Sequence, residues 1–283
     1  MKRVRVETSA GRLDGIARDD ATLSALAEIV SAAEREQRVI AALTQVGADA
    51  LWLKGDHLPG KARLRHSLRR LLGIEAPRVR ELRNIEWLEK RLFRTPRALA
   101  AAVLVRGGLV RYQVLALEPL PPHFDLLCAL NFASPFERAA WLAELAREIA
   151  RMHALHFVHR NLFLRNVLVE SLPAPAVGDR RRLIFVDVWR GGAAFPRRDS
   201  AYDLGCLMLE GAGAMLPAEQ RSFFALYAAE RAVQKHAVDL RALLASANAR
   251  RTELVARLAR DPARRRSAAA PLDEWNWREA LES

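Results

Sequence analysis

The order of hydrophobic periodicities along the 283 residues predicts an α+β protein in two lobes, an antiparallel sheet with a helix followed by a mainly helical lobe. Three observations lead there. Strand-like apolar runs gather at 38–43, 50–54, 98–105 and 109–117, helical spacing dominates beyond residue 134, and Glu118-Pro119-Leu120-Pro121-Pro122 stands between them. A proline cluster cannot continue a sheet, and it stiffens a crossing. The organisation expected is an N-terminal extension with a helix over 1–37, an N-lobe over 38–120 and a C-lobe over 121–283.

Residues 1–20, with Gly11, Gly15 and scattered charges, read as extended or loose. Leu23, Leu26, Ile29, Val30 and Ala33 then recur at helical spacing, with Asp20 or Thr22 available as a cap. The period changes at Arg38, and a hairpin is expected with its turn near Gly47-Ala48-Asp49 and its second strand ending at Lys54. An ammonium group at the end of an apolar strand is costly to desolvate and calls for an anionic partner. Residues 58–80 are strongly basic, carrying Lys61, Arg63, Arg65, His66, Arg69, Arg70, Arg78 and Arg80 interleaved with Leu64, Leu68, Leu71 and Leu72. That pattern suits either a solvated amphipathic helix or one that meets an anionic or membrane surface. Pro77 separates it from a second helix over 79–93 with Glu81, Glu86 and Glu89, expected to stop at Thr95-Pro96. A hairpin around Gly107-Gly108 closes the lobe. Beyond it come a short segment over 125–131, a long helix over 134–156 with Leu142, Leu145, Ile149 and Met152 on one face, and helices over 217–280 with an Arg-rich loop at 264–266.

The balance of 45 Lys and Arg against 33 Asp and Glu, a formal net charge of +12, implies an anionic partner without choosing among nucleic acid, a lipid surface and a phosphorylated small molecule. The basic segment lacks the interleaved aromatic residues of a single-strand nucleic-acid binder, which argues against nucleic acid. Cys128 and Cys206 lie far apart in apolar contexts, so a disulfide framework is not expected and a reducing cytoplasm is. No run reaches the roughly 18 apolar residues of a membrane span, so any contact with a membrane would be peripheral.

The chemistry concentrates in His159-Arg160-Asn161-Leu162-Phe163-Leu164-Arg165-Asn166-Val167-Leu168-Val169 and, further on, Leu183-Ile184-Phe185-Val186-Asp187. A polar loop leads into two apolar strands, and a carboxylate ends the second. This order resembles the catalytic loop and metal-binding Asp of protein kinases, with the spacing from Asn161 to Asn166 kept. More narrowly, the chain resembles the lipopolysaccharide core kinases of Gram-negative bacteria, the heptose and Kdo kinase family, over about residues 38–230. Three stretches carry the likeness: Leu51-Trp52-Leu53-Lys54 with the basic helical insertion after it, Arg80-Glu81-Leu82 running on to Arg94-Thr95-Pro96, and Met152-His153 through His159-Arg160 to Val169.

The resemblance implies ATP and Mg²⁺ as cofactors and a two-lobed protein-kinase-like fold. It places Lys54 on the α and β phosphates, paired with Glu81, with Glu86 and Glu89 as alternatives for the acid. It puts Asp187 and Asn166 on the metal, Glu118 among the nucleotide contacts, and Asp203 beneath the catalytic loop as its anchor or as a plain helix cap. His159 is expected to be structural, and His153 and His156 to be helix-end packing. Two departures stand out. No glycine-rich loop precedes Lys54, and Asn161 occupies the position of the usual Asp base. An amide is no base at neutral pH, whereas general-base help is worth about 10²–10⁴ in rate. The functions expected are therefore phosphoryl transfer to a sugar hydroxyl of an anionic glycolipid, impaired at Asn161, or a pseudokinase that binds nucleotide or a partner without catalysis.

Overall fold

The computed structural model describes residues 1–46, 49–170, 183–193, 200–260 and 274–281 of the chain, which forms two compact units, Met1–Leu120 and Pro121–Ser283. The first holds β1 (Lys2–Thr8), β2 (Gly11–Ala17), α1 (Asp20–Arg35), β3 (Ile40–Val46), β4 (Asp49–His57), α2 (Gly60–Leu71), α3 (Pro77–Glu89), β5 (Ala98–Arg106) and β6 (Leu109–Leu117). Its strands form one antiparallel sheet in the order β1-β2-β5-β6-β4-β3.

Alternation along the central strands gives the sheet two buried faces. Ala100, Ala102 and Leu104 of β5 and Tyr112, Val114 and Ala116 of β6 share a core with Leu23, Leu26, Ala27 and Val30 of α1. Val103 and Val105 point the other way and pack with Val110, which reaches that face across an irregularity where Leu104 pairs with Tyr112 and Val105 with Val110. The helices α2 and α3 lie over this second face.

Residues 1–37 are thus neither loose nor a separate extension. They contribute a hairpin that pairs with β5 along Arg12–Ala17 and the helix that covers one face of the sheet. The signal was present in Arg3-Val4-Arg5-Val6, a strand period. Gly15, which suggested looseness, sits mid-strand at a close approach, where a Cβ would lie 2.6 Å from the Ala101 carbonyl oxygen. The α3 helix also ends earlier than its proline predicts. Leu92 adopts φ 62° and the Phe93 N–H donates to the Leu88 carbonyl, which closes the helix well before Thr95. Of the expected β3–β4 turn, Gly47 and Ala48 lie outside the described residues, and the flanking Val46 and Asp49 pair.

The second unit runs β7 (His123–Asp125), α4 (Leu126–Phe132), α5 (Pro135–Ala154), β8 (Val167–Glu170), β9 (Leu183–Phe185), α6 (Ser200–Ala214), α7 (Pro217–Val233) and α8 (Leu240–Ala259). A capping box starts α5: Ser134 Oγ accepts from the Glu137 N–H at 3.3 Å, and Glu137 Oε2 accepts from the Ser134 N–H at 2.9 Å. The short strands form an antiparallel sheet, β7-β8-β9, and Gly205 lets α6 lie close against α8, since a Cβ there would be 2.8 Å from the Ala247 carbonyl oxygen. The basic loop at 196–199 and the Arg-rich loop at 264–266 are outside the described residues. Among those described, no helix is long and apolar enough to cross a membrane.

Because Leu26 is fully buried in the core beneath α1, Leu26→Ala is expected to lower unfolding stability by about 2–5 kcal/mol, measured by urea denaturation. A change within about 0.5 kcal/mol, the size of a surface substitution, would mean that α1 is detachable from the sheet.

Candidate active site

In the first unit the site is built around a buried acid. Glu81, on the first turns of α3, has no solvent exposure, and its two carboxylate oxygens are divided between cations: Lys54 Nζ lies 2.7 Å from Oε1, and Arg78 Nη1 lies 2.7 Å from Oε2. Of the three candidate acids on this helix, Glu81 is therefore the one that meets Lys54. Glu89 instead faces Arg18 at 3.6 Å. The second half of the Arg78 fork grips Asp56, with Nε 2.8 Å from Oδ2 and Nη2 3.1 Å from Oδ1, and Gln113 Nε2 donates to the same Oδ2 at 3.1 Å.

A buried carboxylate is tolerated only when paired, and here two cations and a second acid close the network. Burial opposes the Arg78 charge, but Glu81 and Asp56 outweigh it and hold the guanidinium above its ordinary pKa. Arg78, counted by its sequence among the residues of an anion-binding face, is thus committed internally. The arrangement presents Lys54, 18% exposed in its side chain, on a strand with its direction fixed. Glu118 closes the unit. Its carboxylate is 2.7 Å from Arg97, and its N–H donates to the Arg97 carbonyl at 2.9 Å.

In the second unit the site is the loop between α5 and β8. Asp203, buried on the first turn of α6, accepts the His159 N–H on Oδ2 and the Arg160 N–H on Oδ1, each at 2.6 Å. His153, near the end of α5, faces the same carboxylate through Nε2 at 3.2 Å and the Tyr227 hydroxyl through Nδ1 at 2.9 Å. These bonds hold Arg160 at φ 58°, a left-handed conformation that a bulky residue keeps only when its surroundings over-determine it. Asp203 is an anchor here, and His153 does more than pack.

The turn delivers Asn161 against Asp187. The Asn161 Nδ2 donates to Asp187 Oδ2 at 2.5 Å, and the orientation is chemically forced, because an ionised carboxylate can only accept. Asn166 Nδ2 donates to the Asn161 carbonyl oxygen at 2.7 Å, so its amide oxygen is turned away as an acceptor. Asp187 itself is left-handed, at φ 61°, which an Asp tolerates better than most residues. Around the rim, Arg165 pairs with the buried Glu210, whose pKa is raised by burial against the pull of Arg165. Neither Glu210 nor Asp56 was singled out by sequence, since each is an isolated acid whose partner lies far along the chain.

His159 is fully buried, with no hydrogen-bond partner at either ring nitrogen among the described residues, tilted against Phe185. Burial lowers its pKa, against smaller opposing effects from Asp203 and Asp187. It is structural, a neutral wedge under the loop. Gly191 packs beside it, where a Cβ would lie 2.8 Å from the Val158 carbonyl oxygen.

An amide oxygen, as on Asn166, and a carboxylate, as on Asp187, are the ligand types that a hard cation takes. Among the described residues no group of three or more His, Cys, Asp and Glu could hold a metal ion by itself. That is compatible with Mg²⁺, which takes one or two protein oxygens and shares its remaining positions with phosphates and water.

An antiparallel unit with a strand Lys tied to a helix Glu, followed by a helical unit with this loop and strand-end Asp, is the protein-kinase-like fold. A solved structure of WaaP in complex with acyl carrier protein shares it, with a TM-score of 0.52 and 18% identity over 79% of this chain and 91% of that one. Residues 51–227 match the model of the lipopolysaccharide kinase (Kdo/WaaP) family, and the chain belongs to that family. No curated protein matches the chain.

The depressed His159 pKa sets a pH dependence. Below its ordinary value of about 6.5 the unfolded chain takes up a proton that the folded chain refuses, so stability is kept above that pH and lost as pH falls. Unfolding free energies from urea titrations between about pH 6.5 and 5 are expected to fall by up to about 1.4 kcal/mol per pH unit more in the parent than in His159→Leu. Equal slopes would contradict a buried neutral His159.

Proposed function

We propose that this chain is an ATP-dependent phosphotransferase that delivers the γ-phosphoryl group to a sugar hydroxyl of lipopolysaccharide core or a related anionic glycolipid, slowed by Asn161. The observation that carries the reading is the orientation of Asn166. Its amide nitrogen is spent on the Asn161 carbonyl, so an oxygen is what remains to meet a cation, and the same Asn161 touches Asp187 through its side chain.

Bound ATP with Mg²⁺ would supply the phosphoryl group and neutralise charge on its oxygens. Asp187 and Asn166 hold the metal, and Lys54, kept extended by Glu81, meets the α and β phosphates. The Glu118 carboxylate is occupied by Arg97, so its contribution to the nucleotide falls to its main chain. At Asn161 the amide can orient an acceptor hydroxyl through its oxygen but cannot take the proton. The acceptor would be met on the cytoplasmic side of the inner membrane.

A second reading, nucleotide binding without transfer, is favoured by the neighbouring contact of Asn161 with Asp187. The Asn161 amide caps one Asp187 oxygen with a neutral donor, a contact that would hold without any reaction.

Thermal and chemical unfolding with Mg²⁺ and ATP test the site. At about 100 times its dissociation constant the nucleotide is expected to add roughly 2.7 kcal/mol to the parent and nothing to Lys54→Ala or Asp187→Ala; no shift in the parent would overturn both readings. Asn161→Asp separates them. It replaces a donor by a second carboxylate against Asp187, a like-charge pair that needs a cation between its members. Mg²⁺-dependent transfer to a core-sugar acceptor is expected to rise by about 10²–10⁴, and an unchanged rate leaves only the binding module.

A further inference from the structure

The outer face of α2 takes no part in the site described above. Along its 12 residues Leu64, Leu68 and Leu71 lie within about 60° of one another around the helix axis, and they are 63%, 58% and 80% exposed. Leu72, at the helix end, is 68% exposed beside them. Lys61, Arg65 and Arg69 flank this ridge. The buried side of the helix, through His66 and Ser67, faces the unit. Hydrophobic side chains scattered singly on a surface need no explanation, but four in a row with a cationic border do.

Next to the ridge opens a cavity of about 760 Å³, lined within the first unit by β1, β2 and α2 and including Arg3, Arg5, Asp14, His66, Arg69 and Arg70. Its charges do not balance, since the acids Asp14 and Glu75 face the arginines Arg3, Arg5, Arg69 and Arg70, and Glu75 is turned to Arg83 at 3.4 Å. Asp14 is shared by three guanidinium groups, Arg5 at 3.1 Å, Arg12 at 2.9 Å and Arg70 at 2.5 Å, while Arg3 and Arg69 have no acid partner among the described residues. His66 is 8% exposed, lines the cavity and makes no hydrogen bond among the described residues. Burial, then Arg65 and Arg69, lower its pKa, so at neutral pH it offers a ring N–H rather than another charge. Arginine forks with a neutral N–H between them form a receptor for phosphate oxygens.

We propose that this face docks the first unit onto an anionic lipid surface, with the leucine ridge entering the headgroup layer and the arginine–histidine cavity receiving a lipid phosphate. The leucines decide the source. A soluble phosphate would use the cavity and leave the ridge without a role, whereas an amphipathic helix with leucine on one side and Lys and Arg beside it is the form that lies in a membrane interface. None of these residues has a part in the proposed phosphotransfer, and the test requires no nucleotide, so its failure leaves that reading untouched.

Cosedimentation of the full chain with vesicles tests the proposal, using phosphatidylcholine alone or mixed with phosphatidylglycerol. The chain is expected to pellet with the mixed vesicles only, and less as salt rises. Removing two surface charges in Arg3→Gln/Arg69→Gln is expected to weaken binding about 30-fold, at about 1 kcal/mol per basic residue. The exposed pair Leu68→Ser/Leu71→Ser, which leaves the core intact, is expected to weaken it at least about tenfold. Glycerol 3-phosphate should not displace the chain. Equal pelleting with both vesicle types, or full binding by both variants, overturns the proposal. If the leucine variant binds as the parent does while glycerol 3-phosphate competes, the cavity takes a soluble phosphate. Binding to no vesicle overturns it as well.

Discussion

The loop between α5 and β8 depends on one buried carboxylate. Asp203 receives two consecutive backbone N–H groups, at His159 and Arg160, and faces His153 from the other side. Hydrogen bonds to a charged group contribute about 1.5–3 kcal/mol each, enough to offset an unfavourable left-handed residue at Arg160. Once that turn is fixed, Asn161 has one place to go. Its side chain meets Asp187, its carbonyl meets Asn166, and the order of groups along the loop becomes an order in space.

The first unit solves a different problem by similar means. A lysine on an apolar strand needs an anionic partner that also aims it, and Glu81 is that partner from a position without solvent. Arg78 completes the arrangement. Three residues before Glu81 on the same helix, it takes the second Glu81 oxygen with one nitrogen and Asp56 with two others. A lysine in its place could not bridge two acids on separate elements with a planar fork. Asp56 stands two residues beyond Lys54 on β4, so the strand and the helix are tied at two points.

How much of this was legible in the sequence depended on how local the determinant was. The spacing from Asn161 to Asn166 and the strand-end Asp187 are local and could be read directly, as could Lys54, conspicuous as a cation in an apolar strand. The choice among Glu81, Glu86 and Glu89 could not be made, because it turns on how α3 is rotated against the sheet, a tertiary fact. Arg78 was hidden by its company: in a run of arginines each looks solvated, and only the structure separates the one locked inside from Arg69 on the surface. The β1–β2 hairpin was missed although Val4 and Val6 alternate with Arg3 and Arg5, since Gly11 and Gly15 outweighed a short period. Gly15 in fact allows the strand to approach β5.

Asn161 is where the family's chemistry and this chain's residues part. An amide against Asp187 gives the carboxylate a donor in place of a rival charge, and on the proposed function it leaves the acceptor hydroxyl without a base. The account therefore holds that affinity for nucleotide runs through the metal. Calorimetric titration of the full chain with ATP, in Mg²⁺ and then in EDTA, tests this most directly. The account predicts at least about tenfold weaker binding without Mg²⁺, about 1.4 kcal/mol, and no such difference in Asp187→Ala. Equal affinity with and without the metal would contradict it.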